Sequence, residues 1–164
     1  MKDHSLEITL LTAYDTHADA IFRHCYFKTG ERELAQDMTQ DVFIKAWSYM
    51  QSQHPIRNMR AFLYRLADNL VIDWYRKRKT QSLDALMDSG FEPVEAGNGI
   101  EEATEISLAL AKLRELGEDD QKLITLRFVE GLSPGEIGEI VGQNENVVSV
   151  RVHRALKKLR ALFQ

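Results

Sequence analysis

The chain has 164 residues, 44% apolar and 28% charged, with a net charge of −4, which allows one ordinary domain or two small ones with modest cores. No stretch approaches the roughly 20 apolar residues of a membrane span, and the N-terminus has no signal-peptide pattern. The one cysteine, Cys25, excludes an internal disulfide, so a cytoplasmic protein without membrane insertion is expected. The charge is unevenly spread: residues 1–56 carry −3, 57–79 carry +5, 80–120 carry −9 and 121–164 carry +3. Two basic blocks flanking an acidic stretch are the footprint of two separate DNA contacts.

Helical periodicity runs through Leu6–Phe27, where Leu10, Leu11, Tyr14, Ala18, Ile21, Phe22 and Cys25 fall on one stripe. Lys28-Thr29-Gly30 breaks it. His24 and Cys25 adjoin, but neighbouring helix residues point in different directions and the other histidines are scattered, so neither a metal site nor a cofactor is expected. A second helix is predicted over Arg32–Met50, burying Met38, Val42, Phe43 and Ala46. It leaves Asp37, Gln40, Asp41 and Ile44 outside. An exposed Ile beside two carboxylates suggests a docking surface; an ordinary acidic face with an Asp41–Lys45 pair fits the same residues.

After the His54-Pro55 break a third helix is predicted over Met59–Arg78, with Phe62, Leu63, Leu66 and Leu70 as its buried stripe. Arg65, Arg76, Lys77, Arg78 and Lys79 supply cations, and Tyr64, Trp74 and Tyr75 supply rings. Cations interleaved with rings suit a strand whose bases are exposed, because rings stack on bases while cations track phosphates. Trp74 and Tyr75, each taken singly, fit a helical core equally well. Asn69 and Asp73 share one side a turn apart, placed either to stabilise the loop after the helix or to sit near a base.

Residues 80–101 change character. Asp, Glu, Gly and Ser dominate, with little to bury, which reads as a flexible acidic linker. Two further helices are predicted over Ile106–Leu116 and Asp119–Glu130. No convincing strand-like alternation appears, so the expected fold is all-α: two small helical domains, 1–79 and 104–164, joined by a linker over 80–103.

From Ser133 the chain signals its own punctuation. Ser133 and Glu136 form a capping box, Pro134 fits the first helical position, Gly142 ends that helix and Asn144 can cap the next. Two helices joined by about three residues make a helix-turn-helix, whose second helix enters a DNA major groove. On that second helix Val148, Val152, Ala155, Leu156, Leu159, Leu162 and Phe163 form the core face. Val147, Val150, His153, Arg154 and Lys157 lie opposite, with Arg151, Lys158 and Arg160 at the flanks. A cationic helix end is commonly a solvated face complementing the helix dipole. Two exposed valines fit that poorly and would suit thymine methyl groups.

Four motifs in this order resemble the extracytoplasmic-function (ECF) sigma factors of the sigma-70 family. They are Ala-x-Asp-x-x-Gln-Asp-Val-Phe-x-x-Ala-Trp from Ala35, Phe-Leu-Tyr-Arg-x-Ala-x-Asn-x-x-x-Asp-x-x-Arg from Phe62, Leu-Arg-Phe-x-Glu-Gly-Leu-Ser-x-x-Glu-Ile from Leu126, and Val-x-Val-Arg-x-His-Arg-Ala from Val148. The resemblance implies conserved regions 2 and 4 joined by a linker, and no catalytic residues. It implies that Asp37, Gln40, Asp41 and Ile44 bind the β′ clamp of core RNA polymerase, with the β flap as a second contact. The helix from Phe62 to Lys79 would engage the −10 element of promoter DNA, with Arg65, Asn69, Asp73, Trp74, Tyr75, Arg76, Lys77 and Arg78 as contacts. The helix-turn-helix would read the −35 element: Ser149, Val150 and Arg154 towards bases, Arg151 towards phosphate, and Val147, His153 and Lys157 in the same interface. The linker would thread near the RNA exit path, and an anti-sigma factor is the implied means of control.

The chain departs from the family pattern in three places. Leu116-Gly117 stands where Leu-Pro is frequent, Gly138 replaces a common Ala, and Asn146-Val147 replaces Gly-Thr. The last removes a hydroxyl contact to the DNA backbone and points to a different −35 preference. A stand-alone repressor or activator would leave the docking helix and the basic-aromatic helix unexplained. An enzyme would need a nucleophile–base pair, a phosphate-binding glycine loop or a metal spacing, none of which the sequence offers.

Overall fold

The structure, a computed structural model, describes residues 2–85 and 104–164. The described residues form helices and turns alone, the all-α class expected. In chain order they are α1 (Lys2–Thr29), α2 (Arg32–Gln51), α3 (Met59–Ala85), α4 (Thr104–Arg114), α5 (Glu118–Ile124), a π-helical turn (Thr125–Val129), α6 (Pro134–Val141) and α7 (Glu145–Ala161). The chain divides into two units, Met1–Ala96 and Gly97–Gln164.

In the first unit α1, α2 and α3 pack pairwise into a three-helix bundle. Gly30, at φ 71°, makes the reversal from α1 to α2 and donates its N–H to Tyr26 O at 2.8 Å, a left-handed conformation that costs glycine nothing. Ile21, Cys25, Val42, Leu63 and Tyr64 are fully enclosed; burying an Ile, Leu or Val in this way contributes about 1.5–3 kcal/mol. α1 buries a face rotated from the expected stripe. Ala13, Ile21, His24 and Cys25 are inside, whereas Leu11 and Tyr14 are exposed. Ala13 lets the helices approach closely, and the Tyr14 ring lies across the edge of Phe43 instead, with centroids 4.9 Å apart.

α3 also differs from its expected stripe. Leu63 is buried, but Phe62, Leu66 and Leu70 are half-buried, and Ala61, Tyr64, Ala67, Asp68 and Val71 form the inner face. A buried polar cluster explains the rotation. His24 Nε2 lies 3.1 Å from Asp68 Oδ1, and Lys28 Nζ donates to the same oxygen at 2.9 Å. A carboxylate can only accept, so the imidazole carries its proton on Nε2. The edge of Tyr64 packs against the His24 ring at 5.1 Å. These contacts pin α1 to α3 through groups that periodicity alone assigns to the surface.

α3 does not stop at Arg78. It continues to Ala85, because Thr80 to Ala85 contain no Gly or Pro and the Thr80 hydroxyl donates within the helix to Arg76 O at 2.9 Å. The first six residues of the expected linker are therefore helix. The remainder, 86–103, lies outside the described residues.

In the second unit Leu113, Leu116, Ile124 and Ala155 form a core onto which Leu156, Leu159 and Leu162 pack. Phe163, expected on this face, is exposed, since the helix ends at Ala161. Gly117 caps α5 with φ −60° and ψ 153°, a conformation open to any residue. The helix predicted over Asp119–Glu130 changes character at Thr125: Glu130 N–H donates five residues back to Thr125 O at 3.0 Å. That extra residue per turn keeps Thr125 and Leu126 buried and turns Phe128 and Val129 outward.

Candidate nucleic-acid interface

The helix-turn-helix is held by its own local hydrogen bonds. Ser133 N–H donates to Glu136 Oε2 at 2.8 Å and Glu136 N–H to Ser133 Oγ at 3.2 Å, the reciprocal capping box, with Pro134 at the first position of α6. Gly142, at φ 70°, closes α6 with its N–H on Gly138 O. Asn144 Oδ1 then accepts from Asn146 N–H at 2.8 Å and starts α7. Gly138 is required by the tightness of this turn: a Cβ there would sit 2.5 Å from the Gln143 carbonyl oxygen.

α7 buries Val148, Val152 and Ala155 against the unit's core and presents Val147, Val150 and Arg154 outward at i, i+3 and i+7. The two valines are 47% and 49% exposed. His153 and Lys157 continue that face and are exposed, while Ser149 and Arg151 occupy its opposite flanks. Exposed β-branched side chains on a short cationic helix lose hydration favourably only against another apolar group. Thymine methyls in a major groove supply one. On the Arg151 flank the acidic N-terminus of α5 lies close: Lys158 Nζ meets Asp120 Oδ2 at 2.7 Å, and Arg151 Nη2 lies 3.8 Å from Asp119 Oδ2. Arg151 Nη1 also donates to Gln143 Oε1 at 2.6 Å. Neither Asp119, Asp120 nor Gln143 stands out in the sequence as part of this surface.

The expected −10 residues of α3 occupy two faces. Arg65, Asn69, Asp73 and Lys77 follow one another at four-residue spacing, with Arg76 beside them, and all are exposed. Trp74, Tyr75 and Arg78 instead continue the stripe that Ala67 and Val71 bury. Tyr75 is 49% exposed, and its hydroxyl donates to Lys28 O at the end of α1. Half-buried Trp74 has the Tyr75 ring at 4.8 Å and the Arg78 guanidinium 5.1 Å over its face. Tyr64 is not an available ring: at 1% exposure it belongs to the core.

On α2, Asp37, Gln40, Asp41 and Ile44 fall at i, i+3, i+4 and i+7 and are all exposed. Ile44 is 61% exposed, while Met38, Val42, Phe43 and Ala46 are buried behind it. Among the described residues no group of three or more His, Cys, Asp or Glu could hold a metal ion, and no helix is long and apolar enough to cross a membrane.

Residues 13–81 match Sigma-70 region 2, and residues 106–159 match Sigma-70, region 4. The chain is 32% identical over 157 residues to the ECF RNA polymerase sigma factor SigW of Bacillus subtilis, covering 89% of this chain and 84% of that one. It is 26% identical over 154 residues to the ECF RNA polymerase sigma factor BldN of Streptomyces coelicolor, covering 92% of this chain and 58% of that protein's length. Two solved structures share the fold. CnrH, in complex with the cytosolic domain of CnrY, gives a TM-score of 0.67 at 24% identity, over 96% of this chain and 88% of that one. The sigma factor RpoE of Bartonella quintana, in complex with the anti-sigma factor NepR, gives 0.66 at 23%, over 99% and 98%. Fold and surfaces together define a two-unit, all-helical protein that carries a helix-turn-helix among its described residues. The chain belongs to the ECF branch of the sigma-70 family, the RNA polymerase sigma factors that direct promoter-specific initiation.

Proposed function

We propose that α7 reads the −35 element and α3 the −10 element while the outer face of α2 docks on core RNA polymerase. The observation that carries this reading is the exposed Val147, Val150 and Arg154 face on a helix whose other side is core. Val150, Ser149 and Arg154 face bases, with Val147 beside them. Arg151, His153 and Lys157 lie along the phosphates. On α3, Arg65, Asn69, Asp73, Arg76 and Lys77 line the exposed face, and Trp74, Tyr75 and Arg78 form an aromatic-cationic edge suited to stacking unpaired bases.

The β′ clamp meets Asp37, Gln40, Asp41 and Ile44, and the β flap meets the second unit. The first functional domain ends near Ala85, a linker follows, and the second begins at about residue 104. The protein works in the cytoplasm and carries out no catalysis; the chemistry belongs to the polymerase. An anti-sigma factor holds it inactive; RpoE of Bartonella quintana, whose fold this chain shares, is in complex with the anti-sigma factor NepR. A photocrosslinker placed at Val150 in the assembled holoenzyme tests the docking of α7. Crosslinks to the −35 segment are expected, and crosslinks confined to protein would refute it.

A further inference from the structure

Arg151 is held before any DNA arrives. Its guanidinium donates from Nη1 to Gln143 Oε1 at 2.6 Å, across eight positions in sequence, and its Nη2 lies 3.8 Å from Asp119 Oδ2. Side chains on a helix lean towards its N-terminus, so Arg151 reaches back along the roughly 9 Å of axis that separates it from the start of α7. The Gln143 backbone, from which that side chain extends, is itself fixed. Its N–H donates to Gly138 O at 2.9 Å, and its carbonyl packs so closely on Gly138 that a Cβ there would meet it at 2.5 Å. Asp119 is well exposed, so its longer contact adds direction more than strength. A guanidinium has five N–H donors, and these two contacts leave others to face outward.

We infer that Gln143 is a positioning residue for the −35 contact: from the turn of the helix-turn-helix it fixes the Arg151 rotamer so that the remaining donors meet the DNA backbone without first being ordered. The inference rests on the docking of α7 proposed above. Immobilising a long side chain on binding costs enough that removing Gln143 Oε1 is expected to weaken binding about 3–10-fold.

The test uses core polymerase reconstituted with the full chain and, as probe, a promoter duplex selected by that holoenzyme from a random library. Affinity is measured for the parent, Gln143→Leu, Arg151→Ala and the double substitution, with thermal unfolding followed in parallel. Gln143→Leu is expected to weaken binding while leaving the unfolding midpoint in place, and to have no further effect once Arg151 is Ala. Equal losses in both backgrounds would mean that Gln143 touches DNA itself or shifts the turn, and would overturn the positioning role. So would an unchanged affinity for Gln143→Leu where Arg151→Ala binds more weakly. If Arg151→Ala binds as tightly as the parent, the docking on this flank has failed, and the inference falls with it.

Discussion

His24 Nε2 and Asp68 Oδ1 meet at 3.1 Å in the interior of the first unit, both residues nearly inaccessible to water. The pair ties α1 to α3, and Lys28 adds a second donor to the same oxygen. Removing Asp68 takes this hydrogen bond from the buried His24 and from Lys28, so Asp68→Ala is expected to destabilise the unit by about 1–3 kcal/mol. Both tryptophans of the chain, Trp47 and Trp74, lie in this unit, so their fluorescence in a urea titration reports its unfolding. A double substitution, His24→Leu with Asp68→Leu, should recover much of the loss. An unaltered urea midpoint for Asp68→Ala would remove the pair from the stability account.

Gly138→Ala gains helix propensity of about 1 kcal/mol in isolation. Here the new methyl meets the Gln143 carbonyl at 2.5 Å, and the turn has to shift. A net destabilisation of the second unit by about 1–3 kcal/mol is expected, read as a lower unfolding midpoint by circular dichroism. Ser133→Ala should cost about 0.5–2 kcal/mol by opening the capping box. A stabilised Gly138→Ala protein would show that the turn relaxes freely.

These two units were legible in the sequence to different depths. The capping box, the Gly142 end and the Asn144 start are local devices, each set by residues a few positions apart, and each is where the sequence places it. The α2 face was legible for a similar reason: Met38, Val42, Phe43 and Ala46 recur at helical spacing and are the side the helix buries. α1 and α3 were not, because their inner faces are chosen by a tertiary pair, His24 with Asp68, that no single helix reveals. A stripe drawn through the largest apolar side chains therefore set Tyr64 outside and Leu11 inside. The π turn after Ile124 leaves no composition signal either, and the Gln143–Arg151 bond joins residues that periodicity assigns to a turn and to a separate helix flank.

Arg154 and Arg151 should behave differently on DNA. Arg154 stands in the middle of the exposed face, so Arg154→Ala is expected to lose about 1–3 kcal/mol at one base pair and to relax preference there. Arg151→Ala should weaken binding on all sequences and flatten the salt dependence by about one unit of slope. Binding of the holoenzyme to single-base variants of its promoter, repeated across salt concentrations, separates the two. Identical behaviour of both variants on every sequence would mean that α7 is rotated in the groove.

Asp41→Lys reverses charge in the centre of the α2 face and leaves the buried Val42 and Phe43 behind it untouched. It is expected to reduce assembly with core polymerase without altering the urea midpoint of the first unit. Ile44→Ser should act in the same direction by removing exposed apolar area. Size-exclusion chromatography with core enzyme reads the outcome, and full assembly by both variants would exclude this face as the docking surface.

Whether the chain gives core RNA polymerase its choice of promoter is read from transcription itself. Purified core enzyme is mixed with the protein on a library of promoter sequences, and transcript starts are mapped. Starts that appear only when the protein is present, and that share one −10 and one −35 element, are expected. No association with core enzyme and no added starts, with duplex DNA still bound by the protein alone, would contradict this role and identify a stand-alone regulator.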